Sequence, residues 1–320
     1  MTLSPGKKRE KIDRLSELAA RDEERGVSLW QEAFRRLRGN PAAIVGAVIL
    51  ALFVLVAVVG PFLVPYAATD TIGIREGLIK PGVIPGPNGD HWFGYDHQGR
   101  DEFSRMIVGA RQTLLVGVVS TLIGLAIGAL IGGVSGAAAG LGGRWGRWID
   151  TTLMRFIDML LAMPSLLLAV SIAALLGASL TTVMIAVGVV SVPVFARLLR
   201  GSMISQANSD YVLAATSLGV KKSKIALTHV VPNSLAPVIV QATLTLATAI
   251  IEAAALSFLG LGNPDTAVPE WGVMLADAQQ YLGIRPSLAI YPAVAIIITA
   301  LGFTLLGEAM REALDPKLRK

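Results

Sequence analysis

The sequence predicts an all-α polytopic membrane protein with about six transmembrane helices. Three observations carry that reading. Of the 320 residues, 53% are hydrophobic and only 16% are charged, against roughly 25% charged in a soluble domain. Apolar runs long enough to cross a bilayer, about 20 residues each, recur along the chain. The basic residues cluster beside those runs, so the net charge of +5 points to cytosolic membrane-flanking segments and not to nucleic acid. There is no cysteine, which excludes disulfides, thiolate nucleophiles and zinc–sulfur sites.

Residues 1–41 are expected to form a cytosolic tail of two short helices. Ile12, Leu15 and Leu18 give the first a thin apolar stripe. Trp30, Phe34 and Leu37, flanked by arginines, suit a second helix lying along the membrane surface. Asn40 and Pro41 fit the N-cap and first turn of a first span, 42–64. That run is too long and too late for a signal-peptide core and is expected to remain as a permanent anchor. An external loop covers 65–111. A core unit, 112–307, holds further spans at 112–138, about 152–176, 180–199, 234–258 and 288–307, with a polar loop at 201–233 and a short tail at 308–320. Arg144, Trp145, Arg147 and Trp148 anchor the start of the third span at an interface, and Arg155 and Asp158 are spaced to pair.

Basic residues orient these spans. Arg35, Arg36 and Arg38, then Arg144 and Arg147, then Arg197, Arg200, Lys221, Lys222 and Lys224, and finally Arg311, Lys317, Arg319 and Lys320 all fall on one side. That side is read as the cytosol, which places both termini there. The opposite loop 263–287 sets Asp265, Glu270 and Asp277 against Arg285 alone.

Within the spans, Gly124, Gly128, Gly132 and Gly136 recur every fourth residue and invite close approach of another helix. Pro164 and Pro193 interrupt the third and fourth spans and invite kinks. Ser234, Gln241, Thr245, Thr248 and Glu252 share one face of the fifth. Two readings of that face stand. Either it lines a solute path, as intramembrane carboxylates commonly do, or the threonines bond back to their own helix and Glu252 reaches the outer interface.

The polar island Asp210–Asn233 separates two apolar runs. Asp210 is placed to cap a short helix, Gly219 to end it in the left-handed conformation, and Pro232 with Asn233 to close a following basic helix. A structured loop of this kind is suited to docking. The three lysines either pair with acidic groups or lipid phosphates or form a solvated face. Catalytic motifs are missing: there is no GxxxxGK[ST], GxSxG or HExxH. His91, Asp96, His97 and Asp101 crowd one external loop, but their spacing matches no ligand pattern, and no metal site is expected.

The island resembles the signature loop of ABC-importer permease subunits, E-A-A, three residues, Gly, nine residues, I-x-L-P. Ala214, Ala215, Gly219 and Pro232 match; Leu213 replaces the Glu, His229 the Ile and Val231 the Leu. Permeases of the dipeptide, oligopeptide and nickel class often lack that Glu and read Y-V-x-A-A, as Tyr211–Ala215 does. His91–Arg111 resembles that class's H-x-x-G-T-D-x-x-G-R-D-x-x-S-R segment, carried here by Asp96, Gly99, Arg100, Asp101 and Arg105, with Tyr95 for Thr. Leu256–Leu275 resembles its motif leaving the fifth span, and Gly307–Leu318 its C-terminal motif, with Glu308 and Glu312 for Asp.

The resemblance, closest to the second, C-type subunit, implies a type I ABC-importer permease fold in the bacterial cytoplasmic (inner) membrane. It implies import of short peptides, or alternatively of nickel or another small solute. The implied partners are a homologous second permease, two ATP-binding subunits that hold ATP and Mg, an extracytoplasmic solute-binding protein and the lipid bilayer. No cofactor is expected in this chain. The coupling residues would be Tyr211, Leu213, Ala214, Ala215, Leu218, Gly219 and Pro232, inserted in a groove on an ATPase, and loops 65–111 and 263–287 would meet the binding protein. A secondary transporter explains the spans and the polar face but not the docking loop with its flanking motifs.

Overall fold

The computed structural model describes residues 29–80 and 82–314. The first tail helix and the basic residues Lys317, Arg319 and Lys320 lie outside the described residues. Helices carry the fold: α1 (Leu29–Gly39), α2 (Pro41–Leu63), α3 (Ile72–Arg75), α4 (Glu102–Leu141), α5 (Gly143–Leu161), α6 (Ser165–Leu176), α7 (Leu180–Ala207), α8 (Asp210–Ser217), α9 (Lys222–Ile225), α10 (Val231–Leu256), α11 (Trp271–Ala278) and α12 (Ser287–Leu314). Among the described residues five helical stretches are long and apolar enough to span a membrane, and a bent pair makes a sixth.

Local chemistry sets the boundaries. The Asn40 side chain accepts from the amides of Ala42 and Ala43, and Pro41 opens α2 where its missing N–H has no intrahelical partner anyway. The Asp101 carboxylate caps α4 by accepting from Ser104 N at 2.7 Å. This starts α4 some ten residues before the expected span at 112. At 40 residues it is about 60 Å long, so it projects well beyond the hydrocarbon layer.

The third span departs most from the sequence reading. The stretch 152–176 is not one straight crossing: α5 and α6 meet at 90° across residues 162–164. Pro164 is extended, and a proline disfavours helical backbone at the residue before it, so the helix ends here and restarts at Ser165. With 12 residues, α6 is about 18 Å long, short of the roughly 30 Å hydrocarbon core. Trp145 and Trp148 on α5 are exposed, while Gly146, Asp150 and Ile157 are buried on its other face. Asp158 pairs with Arg197 of α7 at 2.5 Å instead of with Arg155. At Pro193, by contrast, α7 continues unbroken.

The most extensive helix pair is α4 with α7, and the glycine run forms its seam. A Cβ at Gly124 would stand 2.7 Å from Ser191 Cβ, and one at Gly128 2.6 Å from Phe195 Cβ. Gly132 would meet the backbone of Ala196, and Gly136 the side chain of Met203. The seam is therefore a close approach along several turns, as the spacing predicts. Asp150 of α5 fastens to the same pair: its carboxylate takes a bidentate contact from Arg200 of α7 at 2.5 and 2.7 Å and a hydrogen bond from Ser135 of α4. On the other side α10, α12 and α2 pack against α4 around Trp271, whose indole N–H donates to the Met106 carbonyl.

Candidate functional site

The polar island sits at the Leu141 end of α4. Ser209 occupies the N-cap position of α8 in extended conformation, so Asp210 is the first helical residue and not the cap. The Ser209 hydroxyl donates backward to Gln206 O at 2.6 Å, which is why it does not bond to the α8 amides. The Tyr211 hydroxyl donates to Gln206 Oε1 at 2.8 Å. The exit is a complete glycine-terminated motif. Gly219 takes φ +76°, its N–H donates to Thr216 O, and Val220 N–H donates to Ala215 O. Ala215 and Val220 both pack against the core beneath.

Pro232 does not close a separate helix. From Lys222 the chain runs without a break through α9, a wide π turn at Ala226–Val230 and α10 to Leu256. The wide turn lies directly before Pro232, whose missing N–H and ring clash would disrupt an ordinary α turn there. The island therefore ends in a rod that reaches the far side of the bundle.

Two residues nail this unit down. Val212 and Ile225 are buried with Phe195, Leu199 and Met203 of α7. A third tie is electrostatic: Lys222 Nζ donates to Leu141 O, the last residue of α4, at 2.9 Å, a cation on the negative end of that helix. Lys222 thus has a structural partner within the chain, whereas Lys221 and Lys224 lie at the surface. Above this anchored base, Leu213 is 60% exposed, Leu218 84% and Leu227 71%, and Ala214 is exposed beside them. Leu227 was not singled out by sequence, although an apolar residue between Lys224 and His229 was the available signal.

At the other end of α4 the residues of the loop before it form a buried network. Asp96 accepts from the Gln98 and Arg100 amides, contacts Arg100 Nε at 2.6 Å and lies 3.3 Å from Arg105 Nε. Arg100 and Arg105 both donate to Thr266 O, at 2.8 and 2.9 Å. Asp101 holds His91 Nδ1 at 2.7 Å, and Gly99 joins the loop to α3 by accepting from Gly73 N. The motif after the first span and the motif after the fifth are thereby one structure, locked through a carbonyl that no side-chain pattern reveals. The cavity beside it, lined by His97 and Asp277, measures about 10 Å³, room for a single water. Burial pushes the Asp277 carboxyl above its ordinary range and lowers His97. Each of His91, Asp96 and Asp101 is engaged within the protein. His97 stacks on Tyr281 with ring centroids 4.9 Å apart.

The polar face of α10 divides. Ser234 is buried and donates to Val230 O. Thr245 is buried and meets Gln241 at 3.4 Å, while the Thr248 hydroxyl donates to Thr245 O. Gln241 and Glu252 are half-buried and Thr248 is exposed. The hydroxyls thus bond back to their own helix, and an accessible polar face remains at Gln241, Thr248 and Glu252.

Comparison with known proteins places these features in context. The family described as binding-protein-dependent transport system inner membrane component matches residues 128–320. The N-terminal transmembrane domain of oligopeptide transport permease C matches residues 28–78. The chain is 42% identical over 298 residues to the dipeptide transport system permease protein DppC of Alkalihalophilus pseudofirmus, covering 93% of each. It is 40% identical over 291 residues to the glutathione transport system permease protein GsiD of Escherichia coli O157:H7, covering 91% of each. A solved structure of the MetNI methionine ABC transporter, in an inward-facing conformation, aligns with a TM-score of 0.55 at 18% identity. That alignment covers 67% of this chain and 97% of the other, and the likeness concerns the fold.

Proposed function

The chain belongs to the family of binding-protein-dependent transport-system inner-membrane components, and from that premise we propose that it forms half of the path by which an ATP-driven importer moves short peptides. As a multi-pass permease subunit of an ABC importer, it works with ATPase and solute-binding partners. The full assembly we assign has a homologous second permease, two ATP-binding subunits and an extracytoplasmic binding protein. We assign both termini to the cytosol of a bacterial inner membrane, on the charge distribution of the loops. ATP and Mg belong to the partner subunits in this reading, since the sequence has no phosphate loop. Peptide is the favoured cargo because relatives at about 40% identity are named for a dipeptide and for glutathione, itself a tripeptide.

The observation that carries the mechanism is the island: Leu213 on α8 and Leu218 at its C-cap are exposed, while Val212 of the same helix is buried. Covering two such leucines with a partner contributes about 1.5–3 kcal/mol each. ATP-driven closure of the partner subunits would drag α8, and the buried contacts of Val212 and Ile225 with α7 would pass that motion to the spans. The bundle then alternates between inward-open and outward-open arrangements, a two-state element biased by nucleotide. Gln241, Thr248 and Glu252 are assigned to the path wall, closed over by the second permease.

The test is co-purification of the ATPase subunits with the Leu213→Asp/Leu218→Asp double variant. Both positions face water, so membrane insertion is expected to be normal. Retention of the ATPase at the native level, with normal uptake, would remove the docking role.

A further inference from the structure

The junction of α1 with α2 and the C-terminal end of α12 enclose two adjoining clefts, of about 490 and 620 Å³, that share Asn40, Ala309 and Glu312. Together they present cations and anions side by side. Arg35 and Arg36 line one cleft, and Glu308 and Arg311 line the other. Glu312 accepts from the Asn40 amide at 3.2 Å, so the cap of α2 holds this carboxylate at the mouth of both clefts. Glu308 lies 3.9 Å from Arg311, a loose pair exposed on both sides. The volumes lie in the range of small-molecule sites, about 300–1,000 Å³.

The location narrows the ligand. Asn40 is the first residue before a 23-residue apolar helix, so the clefts stand at the boundary between water and hydrocarbon. Ile44 and Val48 of α2 and Leu301 of α12 are exposed within about two turns of the clefts and face the space where acyl chains lie. On the water side, the Arg38 guanidinium covers the ring of Phe34 at 4.4 Å, which fits an interfacial helix. A ligand here meets guanidinium groups suited to phosphate and carboxylates suited to an ammonium.

We infer that this elbow binds a zwitterionic phospholipid head of the phosphoethanolamine type. Its phosphate lies on Arg35 and Arg36, its ammonium lies against Glu312 and Glu308, and its chains run along α2 and α12. With Arg311 the clefts hold three guanidinium groups and two carboxylates, so any phosphate is attracted, and only a head that also carries an ammonium engages the carboxylates as well.

Native mass spectrometry of the purified full-length chain, offered equal phosphatidylethanolamine and phosphatidylglycerol with matched chains, tests this directly. The expected result is severalfold greater retention of phosphatidylethanolamine. Glu308→Gln/Glu312→Gln should erase that preference while leaving the thermal transition unchanged, because both side chains are exposed. Arg35→Gln should weaken retention of both lipids. Equal retention of the two by the native chain, or an undiminished preference in the glutamine variant, overturns the assignment. Displacement by soluble glycerophosphoethanolamine at equal concentration also overturns it, because a site that needs the chains would not release its lipid to the head alone.

Discussion

The two ends of α4, about 60 Å apart, expose and bury opposite chemistry. At the Glu102 end, Asp96, Arg100, Asp101 and Arg105 are buried and paired through Thr266 O and the loop backbone. At the Leu141 end, charged Lys221 and Lys224 stand in water and so do Leu213 and Leu218. The first arrangement pairs most of its costly groups internally, with Arg100 Nη2 and Asp277 Oδ2 left without a partner among the described residues, and leaves room for little more than one water. The second leaves favourable apolar area unburied on a rigid base. A charged motif is therefore a clamp in the fold, and the exposed leucines of the island form the surface we propose for the partner.

Removing the clamp's centre should have the largest effect on stability. Asp96→Ala leaves two buried guanidinium groups without their carboxylate, and breaking such a pair costs about 3–5 kcal/mol. Thermal unfolding of the full-length protein in detergent would show it, whereas Leu218→Asp should scarcely move the same transition. The seam joining the two ends comes next. Gly128→Leu forces side-chain bulk against Phe195 and the Val192 carbonyl, an overpacking of about 1–3 kcal/mol, read by the same melt. A smaller effect is expected from Lys222→Met, which removes one hydrogen bond at the surface, about 0.5–1.5 kcal/mol. Its sharper signature is functional: ATPase subunits stay bound, but uptake per ATP hydrolysed falls as α4 loses its tie to the island.

The smallest effect concerns pH at the clamp. Burial holds the Asp277 carboxyl above its ordinary range, and its Oδ2 has no partner among the described residues. A raised carboxyl binds more protons folded than unfolded, so its contribution is lost as pH rises from the ordinary carboxylate range through the folded value. His97, lowered by burial, works in the opposite sense and disfavours the fold as pH drops through its ordinary range. Asp277→Asn should therefore stabilise the protein at neutral pH, with the gain disappearing in acid. Melts of both proteins across that range measure it.

Much of this was legible in the residues. Apolar run lengths locate the spans, and a four-residue glycine period is enough to predict the α4–α7 seam. Gly219 marks a turn that an L side chain adopts only with strain. What stayed hidden was non-local or a matter of continuity. The loss of helix at Pro164 could not be told from a kink, because apolar residues continue on both sides of it. Continuity through Pro232 depended on a π turn that has no composition signal. Asp158 has a local basic neighbour at Arg155, yet α7 brings Arg197 closer. The joint grip of Arg100 and Arg105 on Thr266 O spans more than 160 residues and uses a backbone acceptor. The polar residues of α10 share one face by spacing, but packing buries Ser234 and Thr245 and leaves Gln241, Thr248 and Glu252 accessible.

The most direct measurement uses the absence of native cysteine, which makes any introduced thiol unique within this chain. The thiol from Leu218→Cys and, at the other end, that from Trp92→Cys at another exposed position would each be labelled with a membrane-impermeant maleimide, in the chain alone and in the complex of permease and ATPase subunits without the binding protein, both in detergent. If the island is the ATPase dock and the clamp is not, ATPase subunits will protect the thiol at position 218 and leave the one at position 92 equally reactive. Equal labelling at position 218 in both preparations, with ATPase subunits demonstrably bound, would contradict the account.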